Sequence, residues 1–178
     1  QSSEVANEVS NQLSFLQKGE KAYTLNLVGS EENEDEEDNI YLIAAAATDL
    51  GTNLLSQARI VSMALGEGSG GGTNTSSSDL VSQSSQLKDL ITRSINAYMR
   101  AIDSCPHEAG SWCGLGCALI AIDPVMSQHA FSRALQIDPS LSDSWSNVGL
   151  LYTNHDTEKC SEILDYLTQV DDTPLMWI

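Results

Sequence analysis

Four cysteines are the residues of this sequence whose types and spacing could bind a metal ion. Cys113 and Cys117 lie four residues apart, which places both thiols on one face of a helix, and Cys105 and His107 come shortly before them. Thiolate sulfur and imidazole nitrogen are ligands that zinc prefers, but a structural zinc site normally supplies a second ligand pair. We therefore expect no metal and no other cofactor. The cysteines are expected to be reduced thiols, as in a cytoplasmic or nuclear protein.

Motifs of nucleophilic, phosphate-binding and zinc-dependent enzymes do not occur in the sequence. It contains no G-x-S-x-G, no Gly-rich loop followed by Lys and Ser or Thr, and no H-E-x-x-H. The glycine run within residues 66–72 lacks the flanking strand and the lysine that a phosphate-binding loop needs. The three histidines lie apart from one another, and His155 stands in a sequence typical of a loop. We expect a protein that is not an enzyme.

The charge of the chain disfavours nucleic acid as a direct partner. Its 25 acidic residues and 8 basic residues give a formal charge of -17. Nucleic-acid binding depends on clustered Lys and Arg, and none cluster here. No apolar stretch reaches the roughly 18 residues of a membrane span, and the N-terminal residues lack the basic region followed by an apolar core that marks a signal peptide. The chain ends one residue after Trp177, so we expect a fragment of a longer protein.

A repeat period links two segments near the end of the chain. Trp112 and Trp145 are thirty-three positions apart, and each follows a proline by six residues, Pro106 or Pro139. Such spacing is typical of stacked helical hairpins, in which each unit buries its apolar face against its neighbours. Trp177 falls one position short of a further period after Trp145. The remaining positions that agree between units are Tyr98 with Phe131, Ala101 with Ala134, Leu115 with Val148, and Gly116 with Gly149.

These residues, with Tyr152, resemble the tetratricopeptide repeat. Its first helix carries W-x-x-L-G-x-x-Y, and its second ends in A-x-x-x-F-x-x-A before a closing proline. The resemblance covers mainly residues 106–178 and implies an all-α fold of helical hairpins stacked in a right-handed superhelix. Independently of the family, glycine and alanine at helix contacts allow close approach, and the aromatic residues fill the space between hairpins. Leu119 departs from the pattern by replacing its tyrosine, and Ser127 and Ser161 stand where alanine is usual.

A more specific resemblance is carried by three segments. They are Gln128-His129-Ala130-Phe131, the run from Trp145 to Tyr152, and Trp177-Ile178. They are similar to the large tetratricopeptide subunit of the Superkiller complex. The resemblance implies a scaffold that holds a helicase and a WD-repeat subunit and couples them to the cytoplasmic RNA exosome for 3′ to 5′ mRNA decay. The alternative is a generic tetratricopeptide adaptor or co-chaperone that binds short peptide motifs.

Hydrophobic periodicity divides the rest of the chain. Residues 1–30 are predicted to be a helical segment, in which Ser3 caps the first helix and Gly19 ends it. The alternating Tyr23, Leu25 and Leu27 that follow fit either a strand or another helix. The acidic residues 31–38 predict a flexible loop, because like charges repel. The other segments are a long amphipathic helix over 39–65, capped by Asn39 and ended by Gly66, a Gly/Ser linker over 66–78, and repeats over 79–178.

Residues 79–105 show no W-x-x-L-G signature, which leaves two interpretations of this part of the chain. It is either a degenerate repeat or one extended helix that closes the stack. Within the clear repeats, the pattern predicts helices over 109–121, 124–137, 141–153 and 157–169. Asp123 and Pro124 should begin the second of these, and Ser140 with Asp143 resembles a capping box for the third.

The first helices of successive hairpins should line a groove that is the candidate partner-binding site. By family analogy the groove contains neutral and apolar residues, with no cation to hold an anionic ligand. A helix or an extended apolar segment of another protein therefore fits it best. The residues assigned to it are Cys113, Cys117 and Ile120 in one unit, Ser146, Leu150 and Thr153 in the next, and Asp143 and Asn147 near the entrance.

Overall fold

The computed structural model describes residues 2–31, 36–68 and 77–153, which form six helices and contain no strand. The predicted all-α class is confirmed. The chain separates into two compact units, Gln1–Ser104 and Cys105–Ile178, and each is taken by itself below.

The first unit contains three long helices, α1 (Ser2–Glu31), α2 (Glu36–Gly68) and α3 (Ser77–Ser104). Helix α2 packs against both of the others. Apolar side chains spaced three or four residues apart form its buried stripe, as the periodicity predicted. The buried residues are Ala47, Leu54, Ala58 and Val61 from α2 and Leu90 and Ala101 from α3, with Leu13 of α1 packed against them.

Helix α1 does not end at Gly19, contrary to the sequence-based expectation. The helix continues to Glu31, and the segment of Tyr23, Leu25 and Leu27 is helical. A Cβ atom at Gly19 would lie 2.9 Å from the Asn53 side-chain nitrogen of α2. The missing side chain thus lets α1 lie close to α2, so here glycine serves helix packing rather than helix termination.

The acidic segment and the Gly/Ser linker are both shorter than predicted. Residues 36–38 belong to the first turn of α2, where negative charge is favoured by the helix dipole, so Asn39 lies inside the helix instead of capping it. At the other end α2 passes Gly66 and stops at Gly68, and α3 begins at Ser77. The remainder of these two segments, residues 32–35 and 69–76, lies outside the described residues.

The second unit contains α4 (Ala109–Leu119), α5 (Pro124–Ile137) and α6 (Ser142–Thr153), within two residues of the predicted bounds. Helix α5 packs against both α4 and α6. Helix α4 ends early because the amides of Ile122 and Asp123 both donate to the Leu119 carbonyl at 2.9 Å, which closes a tight turn. The helix predicted over 157–169 and Trp177 lie outside the described residues.

One predicted helix cap is confirmed and the other is wrong. The Asp123 carboxylate accepts hydrogen bonds from the amides of Val125 and Met126, with Pro124 at the first helical position. Ser140 makes no capping box with Asp143. Its amide and hydroxyl instead donate to the Asp138 carboxylate at 3.0 and 2.6 Å. Ser140 therefore stabilises the Asp-Pro turn that precedes α6.

Helices α2 and α3 share with the second unit two contacts between a glycine of one helix and side chains of the next. A Cβ atom at Gly51 would lie 2.9 Å from the ring of Tyr98, and the Ser94 hydroxyl donates to the Gly51 carbonyl at 2.9 Å. The same contacts join α4 to α5 in the second unit. The repeat contacts therefore begin within α2, upstream of residue 79, and the second compact unit begins only at Cys105.

Candidate protein-binding site

The two indole rings anchor the beginnings of the helices that should line the groove. The Trp112 indole N–H donates to the Pro106 carbonyl at 2.9 Å, and that of Trp145 donates to the Pro139 carbonyl at the same distance. Both tryptophans are half-buried. The six-residue spacing between each proline and its tryptophan therefore reflects a hydrogen bond, which holds the turn at the proline against the helix that follows it.

A glycine, an aromatic ring and a serine bring α4 against α5. A Cβ atom at Gly116 would lie 2.5 Å from the ring of Phe131, which is itself fully buried. The Ser127 hydroxyl donates to the Gly116 carbonyl at 2.8 Å, so serine at the usual alanine position gains a hydrogen bond. Ala134 is also fully buried on α5.

The other repeat positions have the burial expected of a hairpin core. Tyr98, Ala101, Leu115, Val148 and Gly149 are buried. The side chain of Tyr152 is half-buried and pairs with the amide of Gln128, which ties α6 to α5. These residues position the groove helices and leave the groove itself to other side chains.

Three of the predicted groove residues, two on α4 and one directly after its end, are half-buried rather than open to solvent. Cys113, Cys117 and Ile120 pack against the cluster formed by Phe131, Val148 and Leu151. They thus help to hold α6 against the α4–α5 hairpin.

Asn147 of α6 meets the two thiols of α4. Its side-chain nitrogen lies 3.3 Å from the Cys117 sulfur, a donating distance, and 4.0 Å from the Cys113 sulfur. Sulfur accepts hydrogen bonds weakly, but one amide serves both thiols across the helix contact. The structure therefore brings together three of the predicted groove residues from two helices.

Three of the remaining predicted groove residues form an exposed strip on α6. Asp143 and Ser146 are exposed, and Leu150 is 54% exposed. Thr153 is the last residue of α6, and its side chain is outside the described part of the chain. Neither α4 nor α6 contains Lys or Arg, so the two helices offer no cation to a carboxylate or phosphate ligand.

The Cys113 thiol has a shifted pKa. A hydrogen bond from the Cys117 thiol is the main cause that lowers the pKa of Cys113 from its ordinary 9.0 to about 6. Burial acts in the opposite direction and raises it. The Ser144 hydroxyl and the Asn147 amide lower the pKa further, while the Asp143 carboxylate raises it. The hydrogen bonds to its sulfur thus favour the thiolate form of Cys113.

Ser144 was not singled out from the sequence, although it lies beside this thiolate. Its side chain is fully buried, and its hydroxyl has no hydrogen-bond partner of ordinary geometry. Ser111, one period earlier, donates its hydroxyl to the carboxylate of Glu108, which also caps α4. Leu141 stands one period after Glu108 and offers no such acceptor, so the Ser144 hydroxyl faces the Cys113 sulfur instead.

The repeat period contained a signal for the buried serines. Ser94 and Ser127 are one period apart, as are Ser111 and Ser144, and all four are fully buried. Serine at a helix contact was treated in the sequence as a departure from alanine. Its hydroxyl proves to be a repeated feature of the packing.

The described residues contain neither a cluster of three metal ligands nor a membrane-spanning helix. Within residues 2–31, 36–68 and 77–153, no group of three or more His, Cys, Asp or Glu side chains could hold a metal ion. Among these same helices, none combines the length and apolar character needed to span a membrane.

Comparison with known proteins gives one curated relative and a distant structural likeness. No family model matches the chain. The chain is similar to Superkiller protein 3 of Saccharomyces cerevisiae, with 31% identity over 74 residues. That match covers 41% of this chain and 5% of the yeast protein, so the chain spans only a small part of its relative's length.

A solved structure of the MamA RS-1 ArsTM double mutant covers 92% of this chain and 98% of its own, with 13% sequence identity and a TM-score of 0.43. A TM-score of this size does not establish a shared fold. The tetratricopeptide-like character of the hairpins rests on the repeat period and on the repeated glycine, serine and indole contacts within the chain.

Proposed function

We propose that this chain is a non-catalytic protein–protein interaction scaffold whose partner docks on the exposed strip of α6 and the adjoining side of α4. The main support for this proposal is the polarity of helices α4 and α6. They contain no basic residue, they present Leu150 to solvent, and their remaining exposed groups are small or acidic. An apolar helix or extended segment with basic flanks complements such a surface.

The assembly proposed for this scaffold is a cytoplasmic 3′ to 5′ mRNA decay complex of the Superkiller and exosome kind. The partial similarity to Superkiller protein 3 supports it, and so do the three sequence segments on which the resemblance rests. The partners would then be helicase and WD-repeat subunits. The acidic charge supports contacts to proteins rather than to RNA.

The assembly can be tested by affinity purification of the full-length parent protein from a nuclease-treated lysate, followed by mass spectrometry. Recovery of an RNA helicase and a WD-repeat protein in a stable ratio is the expected result. Loss of both partners after nuclease treatment would contradict the decay assembly, because their association would then depend on RNA.

The docking face is tested in the same purification with two matched variants. Leu150→Asp places a charge in the centre of the proposed strip and should release the partners. Ile122→Asp alters a residue of similar exposure, 57% against 54%, in the turn before α5, and should retain them. Equal recovery with both variants would exclude the α6 strip as the docking site.

The alternative function is a tetratricopeptide adaptor or co-chaperone that binds short peptide motifs. The same neutral and apolar surface favours apolar motifs over acidic ones, since no cation is present on α4 or α6 to clamp a terminal carboxylate. Recovery of chaperones or of scattered proteins that share a short motif, in place of a helicase and a WD-repeat protein, would favour this function.

A further inference from the structure

We propose that Cys113 and Cys117 form a dithiol site that binds one copper(I) ion in two-coordinate geometry. The thiols lie one helical turn apart on α4 and are adjacent, since both sulfurs are within 4.0 Å of the Asn147 side-chain nitrogen. Neither cysteine is in a disulfide, and both are half-buried. Binding of the ion does not depend on partner docking, although Cys113, Cys117 and Asn147 also belong to the predicted groove.

The surroundings of the two sulfurs have the features of a prepared site. Asn147 donates to Cys117 and approaches Cys113 from the facing helix, as outer-shell groups do around metal ligands. Ser144 contributes a hydroxyl that is fully buried, lies against the Cys113 sulfur and lacks an acceptor of ordinary geometry. A thiolate sulfur can accept from that hydroxyl, which would then be an outer-shell donor to a metal ligand.

The number and kind of ligands favour copper(I) over zinc. Zinc in structural sites takes four ligands, and the described residues contain no group of three His, Cys, Asp or Glu side chains around these sulfurs. Soft thiolate ligands select copper(I), which is stable with two of them. A structural zinc site was not expected from the sequence, because a second ligand pair is missing. A two-coordinate ion needs no second pair.

The binding step exchanges a proton for the metal and involves no redox change. Copper(I) binds both sulfurs as thiolates, so each thiol that is protonated gives up its proton. The product is a bis-thiolate copper(I) unit with one negative charge, and the released proton passes to solvent.

The test is an anaerobic titration of the 178-residue chain with copper(I) held by the chromophoric chelator bicinchoninate. The chain should withdraw one equivalent of copper(I). A Cys105→Ser/Cys160→Ser double variant should do the same, whereas Cys113→Ser and Cys117→Ser should each lose this equivalent. Asn147→Leu should weaken binding by about tenfold or more, because it removes the amide that supports both sulfurs.

Far-UV circular dichroism of each variant separates a lost site from a lost fold. If a serine variant unfolds, blocking the same thiol in the folded chain with iodoacetamide and repeating the titration replaces it. Withdrawal of no copper(I) by the parent chain would overturn the proposal. So would retention of the equivalent after the loss of either thiol, or its disappearance in the Cys105→Ser/Cys160→Ser variant.

Discussion

Single atoms decide how closely the helices of each hairpin approach. Gly116→Ala would place a methyl group 2.5 Å from the Phe131 ring, so the ring or the backbone must move. Overpacking of this kind costs about 1 to 3 kcal/mol, and the better helix propensity of alanine returns about 1 kcal/mol. We expect a net loss of up to about 2 kcal/mol in the free energy of unfolding, measured by urea denaturation.

A double-mutant cycle provides the control for this substitution. In a Phe131→Leu background the added methyl group meets a smaller side chain, so Gly116→Ala should cost less there than in the parent. Gly51→Ala is the twin test in the first unit, where the methyl group would meet Tyr98 at 2.9 Å. Equal costs of Gly116→Ala in both backgrounds would show that the contact with Phe131 is not the cause.

Two buried serines give a second prediction at the residue scale. Ser127→Ala removes the hydroxyl that donates to the Gly116 carbonyl and should lower the free energy of unfolding by about 1 kcal/mol. Ser144→Ala removes a hydroxyl without an ordinary partner and should change it by less than about 0.5 kcal/mol. Thermal and urea denaturation of the two variants should rank them in this order, and the reverse order would contradict the hydrogen-bond assignments.

At this scale the sequence revealed the glycine and aromatic positions but missed their hydroxyl partners. Gly116 and Phe131 could be recognised because their sizes alone explain their places in the period. Ser127 and Ser144 could not be told apart from the sequence, since the difference lies in which acceptor faces each hydroxyl. That acceptor is a backbone carbonyl in one case and a thiol of another helix in the other.

Among the elements, the three helices of the first unit are tied by one polar group. Glu20 of α1 accepts a hydrogen bond from Gln57 of α2 at 2.9 Å and pairs with Arg93 of α3. Burial raises the pKa of Glu20, but the hydrogen bonds from Gln57 and Arg93 and the nearby positive charges outweigh it. The pKa therefore lies below its ordinary 4.5.

The pH dependence of stability follows from this depressed pKa. The contribution of ionised Glu20 is complete above pH 4.5 and is lost as the pH falls through the lower folded-state pKa. Glu20→Gln should therefore reduce the free energy of unfolding by about 1 to 2 kcal/mol at pH 7. The difference from the parent should shrink below pH 4.5.

Asp49→Asn on the exposed side of α2 is the matched control for removing one negative charge. It should leave the free energy of unfolding within about 0.5 kcal/mol of the parent at pH 7. A Glu20→Gln variant as stable as the parent at pH 7 would show that the tie between the helices contributes nothing.

The elements of the second unit were predictable because their ends carry local signals. Asp123 and Pro124 fix the start of α5 without help from the rest of the chain. In the first unit Gly19 gave the wrong signal, since a glycine that ends a helix and one that admits a neighbouring helix look alike in sequence. The contacts between α2 and α3 could not be recognised from the sequence either. Ala47 stands where the repeat has its tryptophan, and Gly51 lies far before Tyr98 in the sequence.

For the whole molecule, the excess of 25 acidic over 8 basic residues predicts no direct binding of RNA. Fluorescence anisotropy with labelled single-stranded RNA should detect no binding tighter than about 100 μM at low salt, where electrostatic attraction is strongest. A salt-sensitive complex in the low micromolar range would contradict the assignment of the chain as a contact surface for proteins.

The central claim, that a protein partner docks on α6 and the adjoining side of α4, is tested most directly by hydrogen exchange. Exchange of the 178-residue chain would be measured by mass spectrometry with and without the partner recovered from the purification. We expect slower amide exchange within Ser142–Thr153 and in α4 when the partner is bound. Protection confined to α1, α2 and α3, or no protection in the second unit, would contradict it.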